Sequence, residues 1–184
     1  MASIVIVTGA PGTGKTTVAS HLARASPHGL HLPADLFFSF PAHPISPYRP
    51  AAREQNTAIM AALAHAAAAF ASHGYDVFLE GIVGPWFLPV LARELLTHGH
   101  SAEYVVLRAP LETALERVHA REGDGRHHVV RQMHAAFSEP GPYDDHSIDT
   151  AGLRPEEVAE AVLRGRRVGR FTLDLQALAS TGAV

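Results

Sequence analysis

No cysteine occurs in the 184 residues, which removes disulfides, zinc-thiolate sites and thiol nucleophiles from consideration together. Charge is also scarce: charged residues make up 18% of the chain, the formal net charge is −3 and the pI is near 6.5. Lysine and arginine are too dispersed to neutralise a duplex backbone, so no nucleic-acid partner is expected. The nearest basic patch, Arg164-Gly-Arg-Arg-Val-Gly-Arg170, reads as cations gathered at the end of a helix, where the macrodipole favours them. Long hydrophobic runs are missing too; the longest, around Ala58 to Ala71, is interrupted by His65. The first strand begins almost at Met1 and leaves no room for a signal peptide, so the expectation is a soluble, cytoplasmic protein with no membrane partner. Thirteen histidines are scattered and form no His-Glu-x-x-His or comparable ligand set. What remains is a globular composition, 47% hydrophobic and rich in alanine, in a chain whose length fits one domain with a substantial core.

One dense motif stands out. Gly9 to Thr16 reads Gly-Ala-Pro-Gly-Thr-Gly-Lys-Thr, directly after the apolar run Ser3-Ile4-Val5-Ile6-Val7-Thr8 and directly before a helical pattern. Gly9, Gly12 and Gly14 let the backbone curl around a phosphate with its N–H groups inward, and the following helix adds its positive end. Lys15 then reaches the β- and γ-phosphates and the Thr16 hydroxyl ligates Mg2+, with Ala10, Pro11, Thr13 and Thr17 completing the nucleotide-facing set. The strand before and the helix after are the context that this loop requires, so the chain is expected to bind ATP or GTP with Mg2+.

Strand-like and helix-like segments alternate along the rest of the chain, the pattern of parallel strands joined by helical crossovers. The spacing predicts a helix to about Ala25, a second strand over His28 to Ala34, and a helix from Ala51 to His73 stopped by Gly74. It then predicts strands at 75–79, 103–107 and 146–150, and helices at about 85–96, 111–121, 129–137 and from Arg154 through Val162. The tail after Arg170 reads equally as a docked strand, a helix or a frayed end. The single domain, 1–184, thus carries a proline-rich substrate-side loop at about 36–56 and an arginine-bearing lid at about 117–131.

In open parallel sheets ligands bind beyond the carboxyl ends of the strands, which selects Asp35, Glu80 and Thr150. Asp35, across from the phosphate loop, is the candidate general base. Glu80 is a second acid at the same edge, suited to hold a metal-bound water, to orient Asp35 or to act as base itself. Arg117 and Arg121 share one side of a helix and, with Arg126 after the glycine break, bring positive charge onto transferring phosphate. Phe37, Phe38 and Tyr48 of the proline-rich loop form one wall of a substrate pocket or a cover over the core. Arg49, Arg53, Gln55 and Asn56, where that loop enters its helix, read as substrate contacts or as a solvated helix start.

The phosphate loop, Asp35, the Arg117-x-x-x-Arg121 lid and the closing Ile148-Asp-Thr-Ala-Gly-Leu-Arg-Pro-Glu-Glu-Val together resemble the small P-loop kinases, over about Ser3 to Arg164. The group it looks most like contains chloramphenicol phosphotransferase, with gluconate and shikimate kinases more distant. The resemblance implies a three-layer α/β fold with a five-stranded parallel sheet flanked by helices, Asp35 as base, and the stretch from Thr150 through Gly152 to Leu153 beside the nucleobase. Glu80 stands where many P-loop proteins place aspartate, and the chain has no shikimate-kinase glycine triplet. The expected activity is transfer of the γ-phosphoryl group of ATP or GTP to an alcohol on a small molecule, such as an antibiotic or natural product. A metabolic kinase for a sugar acid or nucleoside, and a nucleotide-binding switch with slow hydrolysis, are the alternatives.

Overall fold

The computed structural model describes residues 2–139 and 141–181. Five short runs form strands β1 (Ile4–Thr8), β2 (Gly29–Pro33), β3 (Asp76–Glu80), β4 (Glu103–Arg108) and β5 (Ser147–Asp149), with the three central ones apolar on both alternating sides. They pair in parallel in the order β2-β3-β1-β4-β5. A parallel sheet is covered on both faces. One face carries Ile4, Ile6, Val77, Leu79, Tyr104 and Val106, packed under α3 (Arg53–Ser72), α4 (Leu88–Thr97) and α8 (Leu175–Ser180). The other carries Val5, Val7, Phe78, Val105 and Leu107, packed under α1 (Lys15–Ala25) and α7 (Pro155–Arg167).

Adjacent strands β1 and β3 therefore feed helices on opposite faces, α1 on one and α4 on the other. A crevice opens beyond their carboxyl ends, the position at which such sheets bind ligands. A short helix, α2 (Ala34–Phe38), follows β2, and a hairpin of α5 (Leu111–Glu122) and α6 (His127–Ser138) rises beside β4. Ala114, Leu115, Val118 and Val130 close a small cluster of their own inside that hairpin. Among the described residues no helix is long and apolar enough to cross a membrane.

The expected α/β architecture with its five-stranded parallel sheet is present. One boundary differs in a way that matters. The second strand ends at Pro33, paired with Glu80, and the chain turns at once into α2, so Asp35 sits in a first helical turn rather than at a strand end. The tail, left open by its sequence, does two things in succession. Thr172 bridges Glu103 in antiparallel fashion, with Tyr104 N–H donating to the Phe171 carbonyl at 2.8 Å and Leu173 N–H to the Ala102 carbonyl at 3.0 Å, and then α8 docks on α4. Phe171 is fully buried against α7 at Gly165, where a Cβ would collide with the ring.

Truncating that ring leaves a cavity the neighbouring helix cannot fill. Phe171→Ala is expected to lower the unfolding free energy by about 3–5 kcal/mol, measured as a fall in the urea midpoint; an unchanged midpoint contradicts the docked tail.

Candidate active site

Between β1 and α1 the chain makes a loop in which Gly9, Gly12 and Gly14 all have positive φ, at 143°, 85° and 93°. A Cβ at Gly9 would collide with the Leu107 carbonyl oxygen and one at Gly12 with the Ala114 backbone, so the loop is wedged against β4 and α5. No side chain caps α1 at Gly14, which leaves its first-turn amides free for an anion. Thr13 is buried, with its hydroxyl donating to the Ala10 carbonyl at 2.8 Å, while the Thr16 and Thr17 side chains are exposed. Lys15 Nζ curls back to the same Ala10 carbonyl at 3.0 Å.

Beyond the loop, two acids meet. Glu80 closes β3 and is 5% exposed, with Oε1 lying 3.6 Å from His31 Nε2. Asp35 is exposed on α2. Gly81 brings them together: a Cβ there would lie 2.6 Å from Ala34 Cβ, so only glycine lets the exit of β3 approach the first turn of α2 this closely. The floor beneath is held by Val83, whose N–H donates to Thr8 Oγ1 at 3.0 Å and whose carbonyl accepts from Tyr104 OH at 2.8 Å. Asp35, Glu80, Lys15, Thr16, Arg121 and Arg126 line one small cavity of about 130 Å3.

The hairpin supplies the arginines in two different ways. Arg117 Nη1 donates to the Gly12 carbonyl at 3.2 Å, tying α5 to the loop, and lines a cavity of about 270 Å3 on the α1 and α7 side, with Thr17, Thr150, Leu153 and Pro155. Arg121 lines both cavities. Arg126 donates to Glu122 Oε2 at 2.9 Å and to Tyr48 OH at 3.1 Å, joining the hairpin to the proline-rich loop. Burial raises the Tyr48 phenol above its usual range against the pull of Arg126, so it stays a neutral hydroxyl near neutral pH.

A second cavity, of about 410 Å3, adjoins the first through four shared residues, Asp35, Tyr48, Ile82 and Arg126. Its walls are otherwise Phe38, Pro47, Trp86, Phe87 and Met133, with Asn56 and Gln132 as neutral polar groups. A separate hollow of about 460 Å3 reaches Ala10 and Thr13 from the β4 and β5 side, but neither Asp35, Glu80 nor Lys15 lines it.

Most of the expected residues therefore converge. Five are placed differently from their sequence reading. Phe37 packs against the core and the Phe40 ring instead of lining the cavity. Arg53 lines only an outer hollow of about 370 Å3 with Arg49 and Trp86. Gln55 and Asn56 anchor the proline-rich loop: Gln55 pairs with both the N–H and the carbonyl of Ile45 at 2.8 Å, and Asn56 Nδ2 donates to the Pro47 carbonyl at 2.8 Å. Gly152 is exposed with φ 69°, next to Leu153 at the rim of the cavity that Arg117 lines. Ile82, Trp86, Phe87, Gln132, Met133 and Glu122 were not anticipated. Trp86, the single tryptophan, placed just after the Glu80 turn was the available signal; Glu122 had none.

The model of the AAA domain family matches residues 4–140. No curated protein matches the chain. Among solved structures, the chain is similar to a sugar kinase from Janibacter sp. HTCC2649, at 22% identity and a TM-score of 0.70 over 92% of this chain and 97% of the other. It is similar to the Deinococcus radiodurans tunicamycin resistance protein, at 21% identity and 0.69 over 94% and 98%. It is also similar to the Mycobacterium tuberculosis APS kinase in complex with AMPPNP and APS, at 18% identity and 0.66 over 90% and 98%. Identities this low establish the shared fold.

Lys15 is the only lysine in the chain. Burial lowers its pKa from 10.5 to about 8, against the carboxylates of Glu80 and Asp35 and with the help of Arg121 and Arg126. The folded pKa lies below the unfolded one, so between about pH 8 and 10.5 the unfolded chain binds the extra proton and stability rises with pH across that window. In protein labelled at the lysine ε-carbon, one resonance is expected, titrating with a midpoint near 8 and moving upward when a triphosphate is added. A ligand-free midpoint near 10.5 contradicts the burial.

Proposed function

The chain belongs to the AAA domain family, and from that membership and the two adjoining cavities we propose that it is a Mg2+-dependent phosphotransferase acting on a hydroxyl of a small molecule. The observation that carries this reading is the shared wall. Asp35, Tyr48, Ile82 and Arg126 border the phosphate cup on one side and an aromatic, largely uncharged cavity on the other, so a bound acceptor meets a bound phosphate there. A nucleotide-dependent switch has no need of such a second cavity. The domain spans residues 1–184, with about 117–131 acting as lid and about 36–56 as the substrate-side loop.

Inward amides of Gly9 to Thr17, together with Lys15, hold the β- and γ-phosphates, and Arg121 and Arg126 meet the charge on the transferring group. Arg117, Thr150 and Gly152 flank the nucleoside. Among the described residues no three His, Cys, Asp or Glu side chains are grouped to bind an ion by themselves. The exposed Thr16 hydroxyl, in the same cavity as Asp35 and Glu80, fits a cation held mainly by the nucleotide. Mg2+ there would neutralise phosphate charge and keep the chain of phosphates in one conformation. Asp35 takes the proton of the acceptor hydroxyl as its oxygen bonds to the γ-phosphorus and the bond to the nucleoside diphosphate breaks. Buried Glu80 supports Asp35 from below. The likeness to an APS kinase holding AMPPNP favours ATP over GTP.

Phe38, Tyr48, Trp86, Phe87, Asn56 and Met133 suit a neutral, partly apolar acceptor, and the one cation on that wall, Arg126, is already engaged by Glu122 and Tyr48. An antibiotic or other natural product fits this lining, and phosphorylation would inactivate it; the likeness to a tunicamycin resistance protein points the same way. The likeness to a sugar kinase supports a metabolic acceptor as the second reading. A sugar acid would need a cation at its carboxylate, and Arg53 stands outside the inner cavity, which favours the first.

Incubation with γ-labelled ATP and a panel of antibiotics, sugars and nucleosides is expected to yield a phosphorylated alcohol; no product across the panel argues for a switch. Lys15→Ala is expected to abolish transfer. Asp35→Asn is expected to lower kcat by about a hundred- to ten-thousand-fold while the nucleotide Kd stays within about twofold, and an unchanged kcat removes Asp35 as base.

A further inference from the structure

Glu122 ends α5 with its carboxylate turned into the phosphate cup, in the cavity that Gly12, Lys15 and Thr16 line. Its Oε1 accepts from Arg121 Nε at 2.7 Å and Nη2 at 2.6 Å, and its Oε2 accepts from Arg126 Nη1 at 2.9 Å. One carboxylate thus bridges two guanidiniums, one to each oxygen, as two oxygens of a phosphate would. Hydrogen bonding from Arg126, and then from Arg121, outweighs burial and holds the Glu122 carboxyl below its usual range, so it is charged at neutral pH.

Three cations, Lys15, Arg121 and Arg126, and three carboxylates, Asp35, Glu80 and Glu122, face this cup. Among the described residues Glu122 is the carboxylate that touches the arginines. A triphosphate entering the cup brings more charge and more acceptor oxygens than Glu122 offers, and it competes for the same two side chains. The pairs are also exchangeable. Glu122 is 27% exposed, and Arg121 and Arg126 are 62% and 49% exposed, so water screens both contacts.

Resting on the reading that this cup binds a nucleoside triphosphate, we infer that Glu122 is an internal stand-in for the terminal phosphate. It positions Arg121 and Arg126 over the cup in the absence of nucleotide and is displaced by the phosphate it mimics. Its carboxylate therefore lowers the affinity for triphosphate while leaving monophosphate binding, which does not reach the two arginines, unaffected. A residue that merely braced the arginines would act with the opposite sign, since its loss would weaken triphosphate binding.

Calorimetric titration of Mg–AMPPNP and of AMP into the parent chain, Glu122→Gln, Glu122→Ala and Glu116→Gln separates these cases. Both Glu122 variants are expected to bind AMPPNP roughly three- to tenfold more tightly than the parent, with AMP affinity changed by less than about twofold. Glu116→Gln removes the same charge from an exposed position of α5 and is expected to match the parent. In turnover, KM for the triphosphate is expected to fall in the Glu122 variants without a rise in kcat. Equal or weaker AMPPNP binding by the Glu122 variants, or an equal gain for AMP, overturns the stand-in role alone. A parent chain that takes up no AMPPNP overturns the nucleotide reading beneath it.

Discussion

The close contact between the phosphate loop and the backbone of α5 governs the rest of the site. Gly9 and Gly12 adopt backbone angles that L side chains rarely reach, and both press against main-chain atoms, of Leu107 and Ala114 respectively. The loop therefore has no freedom relative to the end of β4 and the helix that follows. Arg117 reinforces the contact by donating back to the Gly12 carbonyl. Arg121 and Glu122, one turn further along the same helix, inherit their position over the cup from that contact. The cradle and the base of the hairpin are thereby held against each other.

A second close approach completes the geometry. β1 and β3 lie side by side but feed helices to opposite faces of the sheet, and Glu80, at the end of β3, shares a cavity with Asp35 of α2. Gly81 admits Ala34, in the first turn of α2, against the exit of β3, and the Thr8 and Tyr104 hydroxyls hold the Val83 backbone. Glu80 is buried, while Asp35 remains open to both cavities. Two carboxyl groups on one cavity thus differ in their surroundings, one buried and one accessible.

The parts legible in the sequence were those where a local rule admits few residue types. Glycine at 9, 12 and 14 is forced by positive φ and backbone crowding, and short apolar runs between helices are what strands buried on both faces require. Asp35 and Glu80 followed from topology, since strand ends in such sheets face one crevice. The acceptor cavity was half legible because three distant segments build it: the proline-rich loop, the turn after β3 and the far end of the hairpin. Met133 and Gln132 lie just past the expected lid, on a helix whose pattern shows only which side is apolar. Glu122 looks like any acid near a helix end until Arg121 and Arg126 are seen to converge on it. Gln55 resembled a ligand contact and serves the loop instead, while Asn56 both holds the loop and lines the cavity, since nothing in their spacing reveals that Ile45 and Pro47 fold back over them.

That fold-back is made entirely through main-chain atoms of the loop: the amide and carbonyl of Ile45 and the carbonyl of Pro47. None of these hydrogen bonds depends on which side chain the loop carries at those positions. Substitution at Ile45 or Pro47 would therefore leave the path of the loop over α3 in place, whereas Phe38 and Tyr48 hold it through their side chains, against the core and, for Tyr48, on Arg126.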